Sequence, residues 1–172
     1  NMIESNSEES FGISEIKFLD IKNSLTPNDF LLFTAKNSPK GNYPRYFLDE
    51  ASFWTVLGVN NDVKEAMINT DGMVEIDKSA FSIEPMLQVG NDFYNWSNVS
   101  ATQSLKEKYL PIPKVEWNCG DLNFNVEAFA NGEANKSSTL YLKYKITNNS
   151  SSVKDGKLFL MIRPFQVNPH YQ

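Results

Sequence analysis

The sequence predicts an all-β fold, an antiparallel β-sandwich. Three observations carry this expectation. Apolar and polar residues alternate with period two through the last third of the chain. Clusters of Gly, Pro, Asn, Asp and Ser punctuate it at short intervals, and no segment has the long 3.6-residue periodicity of an amphipathic helix. Period-two alternation puts one set of side chains on each face of a sheet, as strands with one face on a core require.

Residues 1–10 (NMIESNSEES) are polar and acidic, the composition of a disordered tail, and the sandwich domain is expected to run from residue 11 to residue 172. Residues 16–21 form a first candidate strand. Residues 30–35 (FLLFTA) are a continuous apolar run between Pro27-Asn28-Asp29 and Asn37-Ser38-Pro39, which reads as a strand buried on both faces; residues 52–59 read the same way. Residues 65–69, the turn Thr70-Asp71-Gly72 and residues 73–77 form a hairpin, because Asp-Gly supplies the positive φ angles of tight turns. Phe81, Ile83, Leu87 and Val89 alternate, with Pro85 marking an edge or a bulge. Residues 62–68 and 104–109 admit a helical alternative, the second stopping before Pro111.

Three strands then follow in the clearest pattern. Leu122, Phe124, Val126 and Ala128 form one inward set, Leu140, Leu142, Tyr144 and Ile146 a second, and Leu158, Leu160 and Ile162 a third. The loop over residues 147–156 (TNNSSSVKDG) is expected to lie exposed.

Composition narrows the function. A chain of 172 residues fits one domain with a sizeable core. A net charge of −5 without a basic block argues against nucleic acid, and no apolar run approaches the ~20 residues of a membrane span. Cys119 is the only cysteine, which excludes an internal disulfide and a multi-cysteine zinc site. There is no phosphate-cradling Gly-rich loop, and Asn60-Asn61-Asp62 and Asp71-Gly72 read as turns rather than calcium loops, so no cofactor and no metal are expected.

Catalytic chemistry is hard to place. The only histidine, His170, sits in the last five residues, and there is no Gly-x-Ser-x-Gly elbow. Glycoside hydrolysis needs two carboxylates facing across a cleft. Glu75, Asp77, Glu84, Glu116 and Glu127 lie on or near candidate strands, where carboxylates ordinarily form a solvated face, so no catalytic residue is assigned. Sugar binding fits better, since an aromatic content of 13% offers flat faces for pyranose rings. Trp54 and Trp117, inside apolar runs, read as core. Trp96, in the polar stretch of residues 90–97, is the best exposed candidate, with a place in the core as the equal alternative, and if exposed Trp96 with Tyr94 forms the carbohydrate-binding platform.

Two segments, residues 45–85 and residues 138–172 (notably STLYLKYKITNNSSSVKDGKLFLMIRPFQVNP), resemble the N-terminal β-sandwich, or super-sandwich, of large bacterial proteins related to six-hairpin glycosidases. The resemblance rests on a strand like residues 140–146, an Asn148-Asn149 loop and a strand ending in Arg163-Pro164-Phe165. It implies a non-catalytic domain supporting a neighbouring (α/α)₆ glycosidase domain of the same parent protein, which would be exported to the periplasm or beyond. That family's catalytic carboxylates lie in the helical barrel, so none transfers to this chain. An autonomous carbohydrate-binding module is the alternative. Sandwiches of this family usually run beyond the Arg163-Pro164-Phe165 strand, so this chain reads as an incomplete super-sandwich, a fragment whose open sheet edges invite self-association.

Overall fold

A computed structural model of the chain describes residues 25–167. The expectations for residues 1–10, for the strand at 16–21 and for His170 lie outside the described residues. Within them the fold is the expected one, two antiparallel sheets packed together. No helix among the described residues is long and apolar enough to cross a membrane.

The first element departs from expectation. Pro27–Lys36 is a helix, α1, not a buried strand. Local capping overrides the apolar run. Thr26 Oγ1 accepts a hydrogen bond from Asp29 N at 3.2 Å, while Asp29 Oδ2 accepts from Thr26 N at 2.8 Å, closing a capping box around two orphan amides. Pro27 occupies the first helical position, where its missing N–H costs nothing, and Asn37 Nδ2 donates to the Phe33 carbonyl at the far end (2.8 Å). Only Ala35 of α1 is buried.

A short 3₁₀ segment, Arg45–Leu48, leads into β1 (Trp54–Gly58), β2 (Glu65–Asn69), β3 (Val74–Glu75), β4 (Ser82–Val89) and β5 (Asp92–Tyr94). β6 (Ser100–Leu105), β7 (Pro113–Cys119), β8 (Leu122–Gly132), β9 (Ser138–Asn148) and β10 (Gly156–Arg163) complete the described order. The first sheet runs β1-β2-β3-β4-β10, with β5 also paired to β4; the second runs β6-β7-β8-β9. β1 is an edge strand in which only Leu57 is buried, so residues 52–59 are not covered on both faces. Residues 62–68 are not helical but feed β2, and the helical alternative at 104–109 shrinks to one 3₁₀ turn, Lys106–Lys108.

β4 is central rather than an edge. Pro85 fits there because β3 pairs only with residues 82 and 83, and β5 only with residues 87–89. Proline thus occupies the gap between them, where no ladder partner is lost on that side.

The core joins the inner faces: Leu57, Ala66, Ile68, Val74 and Leu87 from the first sheet meet Val115, Trp117, Phe124, Val126 and Ala128 from the second. Full burial of such large side chains contributes roughly 1.5–3 kcal/mol each. Trp117 is the cross-tie. It packs edge-on against Phe124, with ring centroids 5.0 Å apart, and its Nε1 donates to the Asp71 carbonyl at 3.0 Å. The β2–β3 turn is therefore drawn into the sandwich. Asn69 Oδ1 satisfies the amides of Asp71 and Met73 (both 2.9 Å), and Gly72, at φ +86°, lies where a Cβ would stand 3.2 Å from a Val126 methyl.

Candidate functional site

The predicted sugar platform is the natural starting point, and the structure divides it. Trp96 is buried, at 4% exposure, which overturns the expectation of an exposed ring. Its Nε1 donates to the Tyr43 carbonyl at 2.9 Å, and the Arg45 guanidinium lies over the ring, 4.5 Å from its centroid. The Lys40 ammonium stands 5.5 Å from the same centroid. Polar neighbours misled the sequence reading because they serve the turn. Asn95 Oδ1 accepts from Ser97 N and Asn98 Oδ1 accepts from Asn95 N, both at 2.9 Å, and this folds Trp96 inward under residues 40–45. Of the two tryptophans read as core, Trp117 is core at 1% exposure, whereas Trp54 at the start of β1 is only half-buried.

Tyr94 has a different setting. It packs partly on the core and lines a cavity of about 590 Å³ where three connections meet: the β4–β5 turn at Gly90 and Asn91, the β7–β8 turn at Gly120 and Asp121, and the β9–β10 loop at Val153, Lys154 and Asp155. Gly90 N donates to the Asp155 carbonyl (3.2 Å) and Lys154 Nζ pairs with Asp121 Oδ2 (3.2 Å), which ties the loops together. Burial first, and then the negative charges of Asp92 and Asp121, hold the Tyr94 hydroxyl above its ordinary pKa. Burial alone pushes the Cys119 thiol up to about 11, so it is not a nucleophile at neutral pH. One aromatic wall with carboxylates and an ammonium suits hydroxyl-rich ligands. Among the described residues no group of three or more His, Cys, Asp or Glu side chains is placed to hold a metal ion. Sequence reasoning found Tyr94, with Asp92 on the same strand, but not Asp121, Lys154 or Asp155, which only the meeting of three turns brings to it.

Of the five candidate carboxylates, the fold brings Glu75 and Glu84 together and leaves Asp77, Glu116 and Glu127 apart from them. β3 and β4 put Glu75 and Glu84 on the outer face of the first sheet, at 1% and 4% exposure, under the segment that carries Tyr43 and Tyr46. Arg163 Nη2 stands 3.1 Å from Glu84 Oε2, within ion-pair range but off the line of a hydrogen bond. Burial raises Glu84 to about 7 despite the opposing pull of Arg163. Glu75 Oε1 accepts from Val167 N at 2.7 Å. The Tyr46 hydroxyl is raised by burial and then by these two carboxylates, and it has no hydrogen-bond partner among the described residues. On the second sheet Glu116 pairs with Lys114 (2.7 Å) and Glu127 with Lys143 (3.8 Å), while Asp77 caps its own turn through Lys78 N (2.8 Å). Neither Glu75 nor Glu84 lines the 590 Å³ cavity.

Compared with protein-family models, with curated proteins and with solved structures, the chain shows no match.

Proposed function

We propose that this chain is a non-catalytic β-sandwich domain that supports a neighbouring (α/α)₆ glycosidase domain of one exported bacterial parent protein. The observation that supports this reading best is the outward side of α1. Phe30 and Phe33, one turn apart, are 64% and 66% exposed, and Leu25 just ahead of the helix is 73% exposed. Large apolar side chains clustered on a helix surface mark a contact site, and a helical barrel offers ridges and grooves that such a helix fits. The ion-paired or buried state of Glu84, Glu116 and Glu127 accords with a supporting role rather than a chemical one. The test is a binding titration between this chain and the separately produced helical domain. Phe30→Asp with Phe33→Asp is expected to abolish binding while leaving the melting temperature of this chain unchanged, since both side chains are exposed. No binding by the unaltered chain removes the reading.

A second reading, an autonomous carbohydrate-binding module, is favoured by Tyr94 at the wall of the 590 Å³ cavity beside Asp92, Asp121, Lys154 and Asp155. Calorimetric titration with an oligosaccharide panel separates the two. Millimolar or tighter binding that is lost in Tyr94→Ala supports the module; absence of binding excludes it.

A further inference from the structure

β9 and β10 are consecutive in the chain, and each is the last strand of its sheet. Among the described residues both edges therefore present unpaired backbone groups, but only one carries the residues that normally discourage pairing. β9 holds exposed Lys143 and Lys145 in its middle, where side-chain charge opposes the approach of another strand. β10 has no charge between Lys157 and Arg163. Its central run Leu158-Phe159-Leu160-Met161-Ile162 is apolar on both faces. Phe159 and Met161 on the outer face are 37% and 39% exposed, and Leu160 and Ile162 on the inner face 43% and 69%. Such exposure of the inner-face residues means that, among the described residues, the second sheet does not cover the far half of β10, and the edge there is open to a further strand.

We propose that the free edge of β10 is a dimer interface, pairing antiparallel with β10 of a second copy of this chain about a two-fold axis at Leu160. The strand is self-complementary in that register. Leu158 stands opposite Ile162 and Leu160 opposite itself on the inner face, while Phe159 stands opposite Met161 on the outer face. The terminal pair is Lys157 against Arg163. Glu84, 3.1 Å from Arg163, offsets the like charge there. A shift by two residues would set Lys157 or Arg163 against an apolar residue, and a shift by one would put the inner face of one copy beside the outer face of the other. One strand edge buries less than the ~1,600 Å² of a standard interface, so the dimer is weak and depends on concentration. The proposal rests on the β10 edge alone and is independent of the α1 surface and of the Tyr94 cavity.

Light scattering after size exclusion, over a concentration series reaching hundreds of micromolar, is expected to show the mass rising from one copy towards two. Ile162→Lys, at a position already exposed, is expected to hold the chain monomeric with an unchanged melting temperature. Under mild oxidation Leu160→Cys is expected to give a cross-linked dimer, because opposite Cβ atoms in an antiparallel pair approach to ~5 Å, near disulfide reach. Leu158→Cys, which faces Ile162, is expected not to cross-link, and Cys119 at 2% exposure stays silent in both. A chain that is monomeric at every concentration, a dimer that persists in Ile162→Lys, or equal cross-linking at positions 158 and 160 would each overturn the proposal.

Discussion

Arg45 stacks its guanidinium on the Trp96 ring, 4.5 Å from the ring centroid. The same group reaches both oxygens of Asp71 through Nε and Nη2, each at 2.9 Å, and its Nη1 reaches Glu50 at 2.9 Å. Stacking and a bidentate fork demand a planar group that lysine lacks. Arg45→Lys is therefore expected to destabilise the fold by about 2 kcal/mol, and Trp96→Ala by about 3–5 kcal/mol as the buried ring is lost. Urea unfolding measures both. Stability unchanged in both variants would mean that Trp96 is not part of the packed structure.

The Thr26–Asp29 capping box is what turns an apolar run into α1. Thr26→Ala is expected to cost about 1 kcal/mol and to reduce the helical circular dichroism signal, whereas Thr26→Ser keeps both. Equal spectra for all three forms would show that the cap is idle.

Glu84 gives stability a pH dependence of defined sign. Its folded pKa is raised from the ordinary 4.5 to about 7, so the folded state holds this proton more tightly than the unfolded chain does. The resulting stabilisation is complete below about pH 4.5 and is lost as pH rises through about 7. At about 1.4 kcal/mol per pH unit for one proton, the loss between pH 5 and pH 8 is on the order of 1–3 kcal/mol. Denaturation at the two pH values is expected to show this fall in the unaltered chain and a flatter dependence in Glu84→Gln. A slope that survives the substitution would assign it to other groups.

How much of this was legible in the sequence depends on whether the deciding contacts are local. The alternation of Leu122, Phe124, Val126 and Ala128 is a property of one strand, and the structure buries all four. The Asp71-Gly72 turn was legible for the same reason, although not its burial, which Trp117 brings about from 46 residues away. α1 was misread because FLLFTA suits a buried strand and the Thr26-Pro27-Asn28-Asp29 signal looks like a plain turn until its reciprocal hydrogen bonds are seen. Trp96 was misread because its ring is covered by Arg45, which its own polar neighbours do not announce. Alternation also makes β8 and β10 look alike. It states which side chains share a face, not whether another layer covers that face, so the exposure of Leu160 and Ile162 emerges only from the packing of the two sheets.

The proposed support of a neighbouring domain is tested most directly by hydrogen exchange across Pro27–Lys36 in the proposed parent protein and in the isolated chain. Docking of a helical domain on Phe30 and Phe33 shields α1 and suppresses its local opening, so its amides are expected to exchange at least tenfold more slowly in the parent protein, with little change in β1 and β6 at the far edges of the two sheets. Exchange rates across α1 that are the same in both forms would contradict the proposed role.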